Sequence, residues 1–473
     1  MTKKSFPMFG MIVGLLVLAA CGGGGTSGVV NPPPGQPSTA PVSVTIRDTP
    51  PAGITVLSFE VTVTQARLQP GNVALVTTPI EIEVKQLEVE AAFLNTISVP
   101  AGTYTSIDVT FSNPELTFKN DTGSALPAPL NCANGAVCEF KPTVTATISY
   151  NGAPFPLNVV ANTPLGLLVD VNLSNIITSA VGVDFSAAGA VVVSQLQVAA
   201  GTGELEEVED LVGSVTAKDT ANNQFTLQTT QTGQSLTIKV DSNTQFEDFN
   251  DVGCATANFA CVAVGQVVEV DLRLMPGGVL LAKKVEVEDN DNEEELEGII
   301  TKINSATQFE MVLIEEATNV AGVDVGQVIQ VNLLPNTQFK IDDDNLNVNS
   351  ADFDAAADLL VGQAVEIERK SNPTGTPPAI DTDRVKLKGT RLTARVQSVD
   401  TANSQFTINS LPGIFTNQVP AITSLVVKTQ AQTKFERVAN LAALAAGNTV
   451  SVRALLFNGP SGPFMVAKKV RKR

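Results

Sequence analysis

The sequence predicts an all-β protein in which an N-terminal antiparallel sandwich is followed by three small β-barrel repeats. Three observations lead to this fold class. Valine, alanine and threonine are the most frequent residues in the chain of 473 residues, and β-branched residues such as valine and threonine favour strands. Apolar and polar residues alternate with a period of two through residues 42–200. A set of short motifs then recurs three times, in the same order, through residues 211–473.

The first residues combine positive charge, a short apolar stretch and a cysteine. Lys3 and Lys4 precede an apolar stretch at residues 9–18 that is too short to span a bilayer, and Leu18-Ala19-Ala20-Cys21 follows. This arrangement resembles the lipobox of bacterial lipoproteins. The resemblance implies that residues 1–20 are a signal peptide, cleaved between Ala20 and Cys21, and that Cys21 is acylated. The alternative is an ordinary secretory signal that leaves Cys21 as an unmodified thiol.

Residues 21–41 are predicted to form a flexible tether, because they are rich in glycine, serine, threonine and proline and cannot build a core. Gly22 stands after the cysteine, where an aspartate would favour retention at the inner membrane. By analogy with lipoprotein sorting, we expect a lipid-anchored protein of the cell envelope, held at the outer membrane of a Gram-negative bacterium.

Composition narrows the functional classes that the chain can serve. The sequence has 30 basic and 48 acidic residues, a net charge of −18, and no histidine. The acidity disfavours nucleic acid and anionic lipid surfaces as partners. The lack of histidine excludes Ser-His-Asp and Cys-His nucleophiles as well as histidine-ligated zinc or iron. Carboxylate-dependent glycoside hydrolysis and oxygen-ligated calcium remain open. No cofactor and no catalytic residue is predicted.

The remaining cysteines form two pairs that are close in sequence. Cys132 and Cys138 lie in one Gly/Asn/Ala-rich segment, and Cys254 and Cys261 lie in another. In an oxidising compartment, such pairs are expected to form two local disulfides that staple the ends of hairpins. A redox or metal-binding role is the alternative. Neither pair has the CxxC spacing and no histidine accompanies them.

The sandwich is predicted for residues 42–200. Ile107, Val109 and Phe111 share one face of a strand, whereas Asp108 and Thr110 share the other. Several similar segments are separated by Pro, Gly and Asn turns, which is typical of an antiparallel sandwich. Residues 99–104 (VPAGTY) and 167–172 (LLVDVN) resemble domain-of-unknown-function family 4382. The resemblance implies a transthyretin- or immunoglobulin-like sandwich.

The three repeats are predicted at residues 211–288, 296–388 and 391–473. Each has a Gln-Phe hairpin, then a T-x-F turn, then a glycine turn before apolar strands. The hairpin phenylalanines are Phe225, Phe309 and Phe406. The phenylalanines of the T-x-F turn are Phe246, Phe339 and Phe435, and the turn glycines are Gly265, Gly362 and Gly447. The pattern resembles domain-of-unknown-function family 5666, which implies OB-like barrels. We expect independent domains in series whose recurring phenylalanines are core residues, with ligand stacking as the alternative.

Charged segments connect or end the predicted domains. The acidic runs at residues 204–210, 288–295 and 342–345 are expected to be solvated, although Asp289, Asp291 and Glu293 could ligate calcium weakly. They lack the glycine and closing glutamate of a calcium hand, so no metal site is predicted. The basic run at residues 468–473 is expected to be a last strand with solvated charges. The alternative is contact with phosphates or with an acidic polymer.

These observations predict a lipid-anchored, extracytoplasmic binding or scaffold protein of the bacterial envelope that is not an enzyme. Its expected partners are the membrane, through the lipid at Cys21, and an envelope polysaccharide or protein, but not nucleic acid. Two alternatives remain. One is a structural spacer without a ligand, and the other is a glycan-active enzyme that uses two carboxylates.

Overall fold

Strands make up most of the computed structural model, which describes residues 38–473 except 50–54, 179–181, 200–201, 231, 251, 288–293, 317–320 and 344. The chain is 56% strand and 6% helix, which confirms the predicted all-β class. The predicted signal peptide, including the cleavage site at Ala20 and Cys21, lies outside the described residues. No helix in the described part is both long and apolar enough to cross a bilayer.

Residues 39–196 contain the sandwich. Its strands are β1 (Thr39–Thr49), β2 (Thr55–Gln69), β3 (Val73–Val76), β4 (Ile80–Glu83), β5 (Ala92–Pro100), β6 (Gly102–Tyr104), β7 (Ser106–Lys119), β8 (Val137–Phe140), β9 (Thr145–Tyr150), β10 (Leu157–Val159), β11 (Leu165–Asn172), β12 (Ile177–Thr178), β13 (Gly182–Val183) and β14 (Val191–Leu196). A 3-10 helix spans Val84–Glu88, and α1 spans Leu173–Ile176.

Two main sheets share one hydrophobic core. The first has the order β14-β11-β1-β5, and the second has the order β3-β2-β7-β8, with β4 beside β2 and β9 beside β7. Ile107, Val109 and Phe111 are buried as predicted, and Phe111 stacks on Phe185 with ring centroids 5.0 Å apart. One pairing differs from a purely antiparallel sandwich, because β1 and β11 are parallel. The whole second sheet lies between them in sequence, which provides the long connection that a parallel pair needs.

Residues 206–472 contain the three barrels. The first has β15 (Glu206–Asp219), β16 (Gln224–Thr229), β17 (Ser235–Lys239), β18 (Gln245–Glu247), β19 (Val267–Met275) and β20 (Val279–Val287). The second has β21 (Glu294–Ser305), β22 (Gln308–Glu316), β23 (Val328–Ile341), β24 (Ala364–Arg369) and β25 (Ala379–Lys388). The third has β26 (Thr390–Asp400), β27 (Gln405–Asn409), β28 (Ser424–Lys428), β29 (Lys434–Glu436), β30 (Thr449–Gly459) and β31 (Gly462–Lys472).

Each barrel closes through the same five-stranded ring. The rings are β15-β16-β17-β20-β19, β21-β22-β23-β25-β24 and β26-β27-β28-β31-β30. Helix α2 (Gly413–Thr416) lies in the loop between β27 and β28. Short 3-10 helices precede the glycine turns at Phe259–Cys261, Ser350–Asp352, Ala356–Asp358 and Leu441–Ala443. The repeated motifs therefore correspond to repeated barrels, as the sequence predicts.

Hydrogen bonds explain why the T-x-F motif recurs. The threonine hydroxyl donates to a carbonyl of the closing strand in every barrel: Thr244 to Ala282 at 2.9 Å, Thr337 to Thr382 at 3.3 Å, and Thr433 to Ala467 at 2.7 Å. The phenylalanine two positions later then pairs in parallel with that strand. The motif thus attaches a short extra strand segment to the edge of the ring.

The glycine turns have a positive φ in each repeat. Gly265, Gly362 and Gly447 have φ values of 96°, 98° and 84°, a region that residues with a Cβ rarely adopt. In each turn the glycine N–H donates to a carbonyl of the first barrel strand, which fixes the turn against the ring. The glycine is therefore required by the backbone.

The modules pack together, which differs from the expected arrangement of independent domains in series. Ser38–Arg473 form one compact unit. Leu455 and Phe457 of the third barrel belong to the hydrophobic core of the second, and Leu57 of the sandwich packs in the core of the third. The predicted boundaries follow local motifs, whereas these apolar contacts join residues far apart in sequence.

Candidate binding cleft at the third barrel

A buried ion-pair network joins the first and third barrels. The acidic run at residues 204–210 is not a solvated connector, because most of it is the start of β15. Its Glu209 lies 3.4 Å from Lys469 and 3.0 Å from Arg453. The basic run at residues 468–473 is also not solvated, since Lys469 and Arg471 are 1% and 2% exposed. The acidic and the basic run therefore neutralise each other's charges. Neither run taken alone indicates that the other is its partner.

The network shifts the protonation equilibria of its members. Burial alone raises the pKa of Glu209, but Lys469, Lys468 and Arg453 outweigh it and hold that pKa well below the ordinary value. Burial likewise opposes the charge of Lys469, yet Glu209, Glu436 and Glu207 raise the pKa of this lysine. Both groups are therefore charged at neutral pH.

A second buried cluster joins the first and second barrels. Lys388 lies 2.9 Å from Asp342, 3.5 Å from Glu366 and 3.7 Å from Glu269 of the first barrel. Asp342 belongs to the acidic run at residues 342–345, so this carboxylate serves an ion pair. Asp289, Asp291 and Glu293 lie outside the described residues. Within the described ranges, no group of three or more Asp, Glu or Cys side chains is placed to hold a metal ion.

A row of carboxyl groups crosses the second sheet of the sandwich. Glu60 is the cross-strand partner of both Glu83 and Glu115. Burial, and then the nearby Glu83, Glu81 and Glu115, raise the pKa of Glu60 to about 9. Burial raises the pKa of Glu83 to about 7 against hydrogen bonds from the Phe59 N–H and the Ser58 hydroxyl. Both side chains are almost fully buried, so the pair does not line an open substrate cleft.

The recurring phenylalanines are core residues. Phe225, Phe309 and Phe406 are at most 1% exposed. The second set is half-buried, and Phe246 and Phe339 pack edge-to-face on Phe249 and Phe353, with centroids 5.9 and 5.7 Å apart. These contacts support the predicted packing role over ligand stacking.

Both predicted disulfides are present. Cys132 is bonded to Cys138, close to the start of β8, and Cys254 is bonded to Cys261, at the end of a 3-10 helix. Each staples a loop segment next to a sheet or barrel. None of these cysteines is available as a free thiol.

A cleft of about 500 Å³ lies where the third barrel meets the sandwich and the second barrel. Strand β26 forms one wall. Its Leu392 and Ala394 face the barrel core, so the alternate residues Arg391, Thr393 and Arg395 face outward along the cleft. Lys85 and Glu88 of the sandwich also line the cleft. The sequence gives no local sign of this site, because its walls come from three modules.

The loop at residues 410–423 builds another wall. It holds α2, whose Phe415 is buried against Gly362 of the second barrel. The Ile414 N–H donates to the Thr55 hydroxyl at 3.2 Å, and the Asn417 amide donates to Asp121 at 3.0 Å. In the first barrel the corresponding connection is only residues 230–234. The longer loop therefore ties the third barrel to the sandwich and to the second barrel.

The two arginines of β26 that line the cleft differ, because Arg391 is ion-paired and Arg395 is not. The Arg391 guanidinium donates twice to Glu90, at 3.1 Å each, and Thr393 donates to Glu88 at 3.0 Å. Arg395, at the other end, is exposed, and its side chain makes no hydrogen bond or ion pair with any residue in the described part of the chain. Lys85 is paired with Glu88. The cleft thus has one end closed by ion pairs and one end with an available cation.

A buried acid lies behind this cleft. Neither side-chain oxygen of Asp48 has a hydrogen-bond partner within the described residues. Burial, followed by the charge of Glu88, raises the pKa of Asp48 well above its ordinary value, despite the opposing Lys85 and Arg473. Burial and the nearby Glu88 carboxylate thus both disfavour the charged form of Asp48.

A second cavity, of about 730 Å³, lies between the sandwich and the second barrel. Lys119, Glu139, Lys302 and Glu310 are among its lining residues. Lys302 lies 3.1 Å from Glu310, so this pair is internally compensated. A connecting loop lines this cavity as well, because Gly326 and Gln327 belong to the connection between β22 and β23.

Part of the chain matches a known protein family. The family model named Domain of unknown function (DUF5666) matches residues 212–286 and 393–461, which lie in the first and third barrels. Among solved structures, the chain is similar to drosophila Unr CSD456, with 10% identity over 56% of this chain and 98% of that chain, at a TM-score of 0.13. No curated protein matches the sequence.

Proposed function

We propose that the chain is a non-catalytic binding protein of a bacterial cell envelope, anchored outside the cytoplasm by acylation of Cys21. The cleft at the third barrel is the observation that carries the binding role, because it combines a concave volume with a cationic side chain, that of Arg395, that is not ion-paired. The volume of about 500 Å³ lies in the range of small-molecule sites, roughly 300–1,000 Å³. An envelope polysaccharide or protein is the proposed class of partner.

The anchor rests on the residues Leu18-Ala19-Ala20-Cys21 and on chemistry that suits an oxidising compartment. Two disulfides in one chain are common outside the cytoplasm and rare within it. The resemblance of residues 42–200 to family 4382 supports the same location, since that family occurs in secreted and lipid-anchored proteins. Gly22 favours the outer membrane.

Labelling with a fatty acid tests the anchor. The full chain is expressed in a Gram-negative host fed radiolabelled palmitate, alongside the Cys21→Ser variant. We expect label on the wild-type protein and none on the variant, and we expect the wild type to sediment with outer membranes. A wild-type chain that is exported but carries no label would refute the anchor.

A binding screen tests the second half of the proposal. The full chain, in detergent, is titrated with purified envelope polysaccharides with and without calcium, and the products are analysed for hydrolysis. We expect saturable binding without cleavage. Cleavage that is abolished by a single Asp or Glu substitution would establish the carboxylate enzyme instead.

A structural spacer is the second candidate. The buried ion pairs at Lys469 and Lys388 favour it, because they fix three barrels into one unit as a rigid support requires. Absence of binding to every polymer in the screen, together with palmitate labelling, would favour the spacer.

A further inference from the structure

We propose that the cleft binds a single anionic sugar unit, a pyranose-sized ring that bears one carboxylate, and that Arg395 holds this carboxylate. The inference rests on the proposed binding function and specifies its site and its ligand class. It follows from the charge, the polar lining, the volume and the origin of the cleft walls.

The charge comes first. The sequence has a net charge of −18, so an exposed and unpaired guanidinium in a concave site is a local exception. Lys85 and Arg391 line the same cleft, but each already faces a carboxylate, Glu88 and Glu90 respectively. Arg395 is the lining cation left to meet a ligand. A guanidinium suits a carboxylate in particular, because its planar fork can donate two parallel hydrogen bonds.

The other polar side chains that line the cleft can form hydrogen bonds with the hydroxyl groups of a sugar. Asp121 accepts hydrogen bonds from Thr55 and Asn417, and a carboxylate has about four lone-pair sites, so it can accept more. Thr449, the cross-strand partner of Arg395, offers a hydroxyl beside the guanidinium. A ligand that satisfies both Arg395 and Asp121 needs an anionic acceptor and hydroxyl donors on one small frame. A sugar acid has this combination.

An apolar side chain and size complete the match. Leu411 also lines the cleft and is nearly buried, so it can contact the C–H face of a ring without needing polar partners. The cavity of about 500 Å³ can enclose one or two sugar units.

The loop that builds the cleft wall is longer in the third repeat than in the first. Closure of the barrel ring does not need the loop at residues 410–423, since the first barrel closes with residues 230–234 in its place. Ser410, Leu411 and Asn417 of the longer loop all line the cleft. The third repeat therefore carries added residues that build a concavity beside an unpaired cation.

The test is calorimetric titration of the full chain in detergent with sodium glucuronate, glucose and sodium acetate as separate probes at low salt. We expect glucuronate to bind more tightly than either glucose or acetate, because only it offers both groups. Arg395→Gln should weaken glucuronate binding by about tenfold or more, the effect of losing a charge-assisted hydrogen-bond pair. Lys239→Gln, which removes an exposed charge from β17 of the first barrel, should leave it unchanged.

Three outcomes would overturn the inference. Equal glucuronate affinity of the wild type and Arg395→Gln would remove Arg395 from the site. Equal affinity for glucose and glucuronate would remove the requirement for a carboxylate. No heat of binding with glucuronate would reject the ligand class. If the chain still binds a polysaccharide in the polymer screen, the binding function stands and only this ligand is wrong. Thermal unfolding of both variants checks that the fold is intact.

Discussion

Lys469, in the last strand of the third barrel, lies 3.4 Å from Glu209, in the first strand of the first barrel, and both side chains are at most 3% exposed. Removing one member of such a pair leaves an uncompensated buried charge. A buried ion pair is therefore costly to break, even where replacing the whole pair is tolerated.

Lys469→Met should reduce the free energy of unfolding by about 3–5 kcal/mol. The measurement is urea denaturation followed by far-UV circular dichroism, since the chain has no tryptophan. The control is Lys302→Met, in the exposed pair with Glu310, which should cost less than about 1 kcal/mol. Equal effects of the two substitutions would contradict the structural importance of the network.

Glu60 should make stability fall as the pH rises. Its pKa is raised from 4.5 to about 9, so between these values the folded state binds a proton that the unfolded state has released. The stabilisation is complete below pH 4.5 and is lost as the pH rises through 9. The Glu60→Gln variant should therefore lose less stability than the wild type between pH 6 and pH 9. The measurement is urea denaturation at both values.

The matched control for Glu60 is Glu139→Gln, which removes a half-exposed carboxylate on β8 of the same sheet. It should retain the wild-type slope of stability against pH. A slope in Glu60→Gln as steep as in the wild type would show that other groups cause the pH dependence.

Gly362→Ala should be more damaging than Gly447→Ala, although both glycines occupy the same turn of their repeats. Each has a positive φ, which costs a residue with a Cβ about 1–2 kcal/mol. Only at Gly362 would the new Cβ also lie 2.5 Å from the Phe415 ring; nothing lies within 4 Å at Gly447. Overpacking should add about 1–3 kcal/mol at Gly362. Thermal or urea unfolding of the two variants measures the difference, and equal losses would show that Phe415 does not pack there.

Thr433→Val should destabilise the third barrel by about 1–3 kcal/mol, because the hydroxyl accepts from the Gln430 N–H and donates to the Ala467 carbonyl. Valine keeps the shape and removes both hydrogen bonds. Thr423→Val, at an exposed position in the loop before β28, is the control and should change little. Amide hydrogen exchange should show faster exchange at residues 434–436 only in Thr433→Val.

Sequence patterns predicted those parts of the fold that depend on local spacing. Phe225, Phe309 and Phe406 recur after similar turns, and their burial follows from that recurrence. Glu209 was expected in a solvated connector, because the residues around it are acidic and the partner Lys469 is 260 positions away. Phe415 and the cleft were also missed. Local spacing carries no information on which module a loop will contact.

The pairing of β15 with β31 through Glu209 and Lys469 has a consequence for the order of folding. Domains of a long chain generally fold as units, with the N-terminal ones first during synthesis. The buried carboxylate of Glu209 in the first barrel, however, has partners in β30 and β31 of the third barrel, Arg453 and Lys469. The ring of the first barrel can close early, but these two ion pairs form only when β30 and β31 are in place. The surroundings of Glu209 are therefore complete only once the third barrel has formed, although the first barrel is synthesised before it.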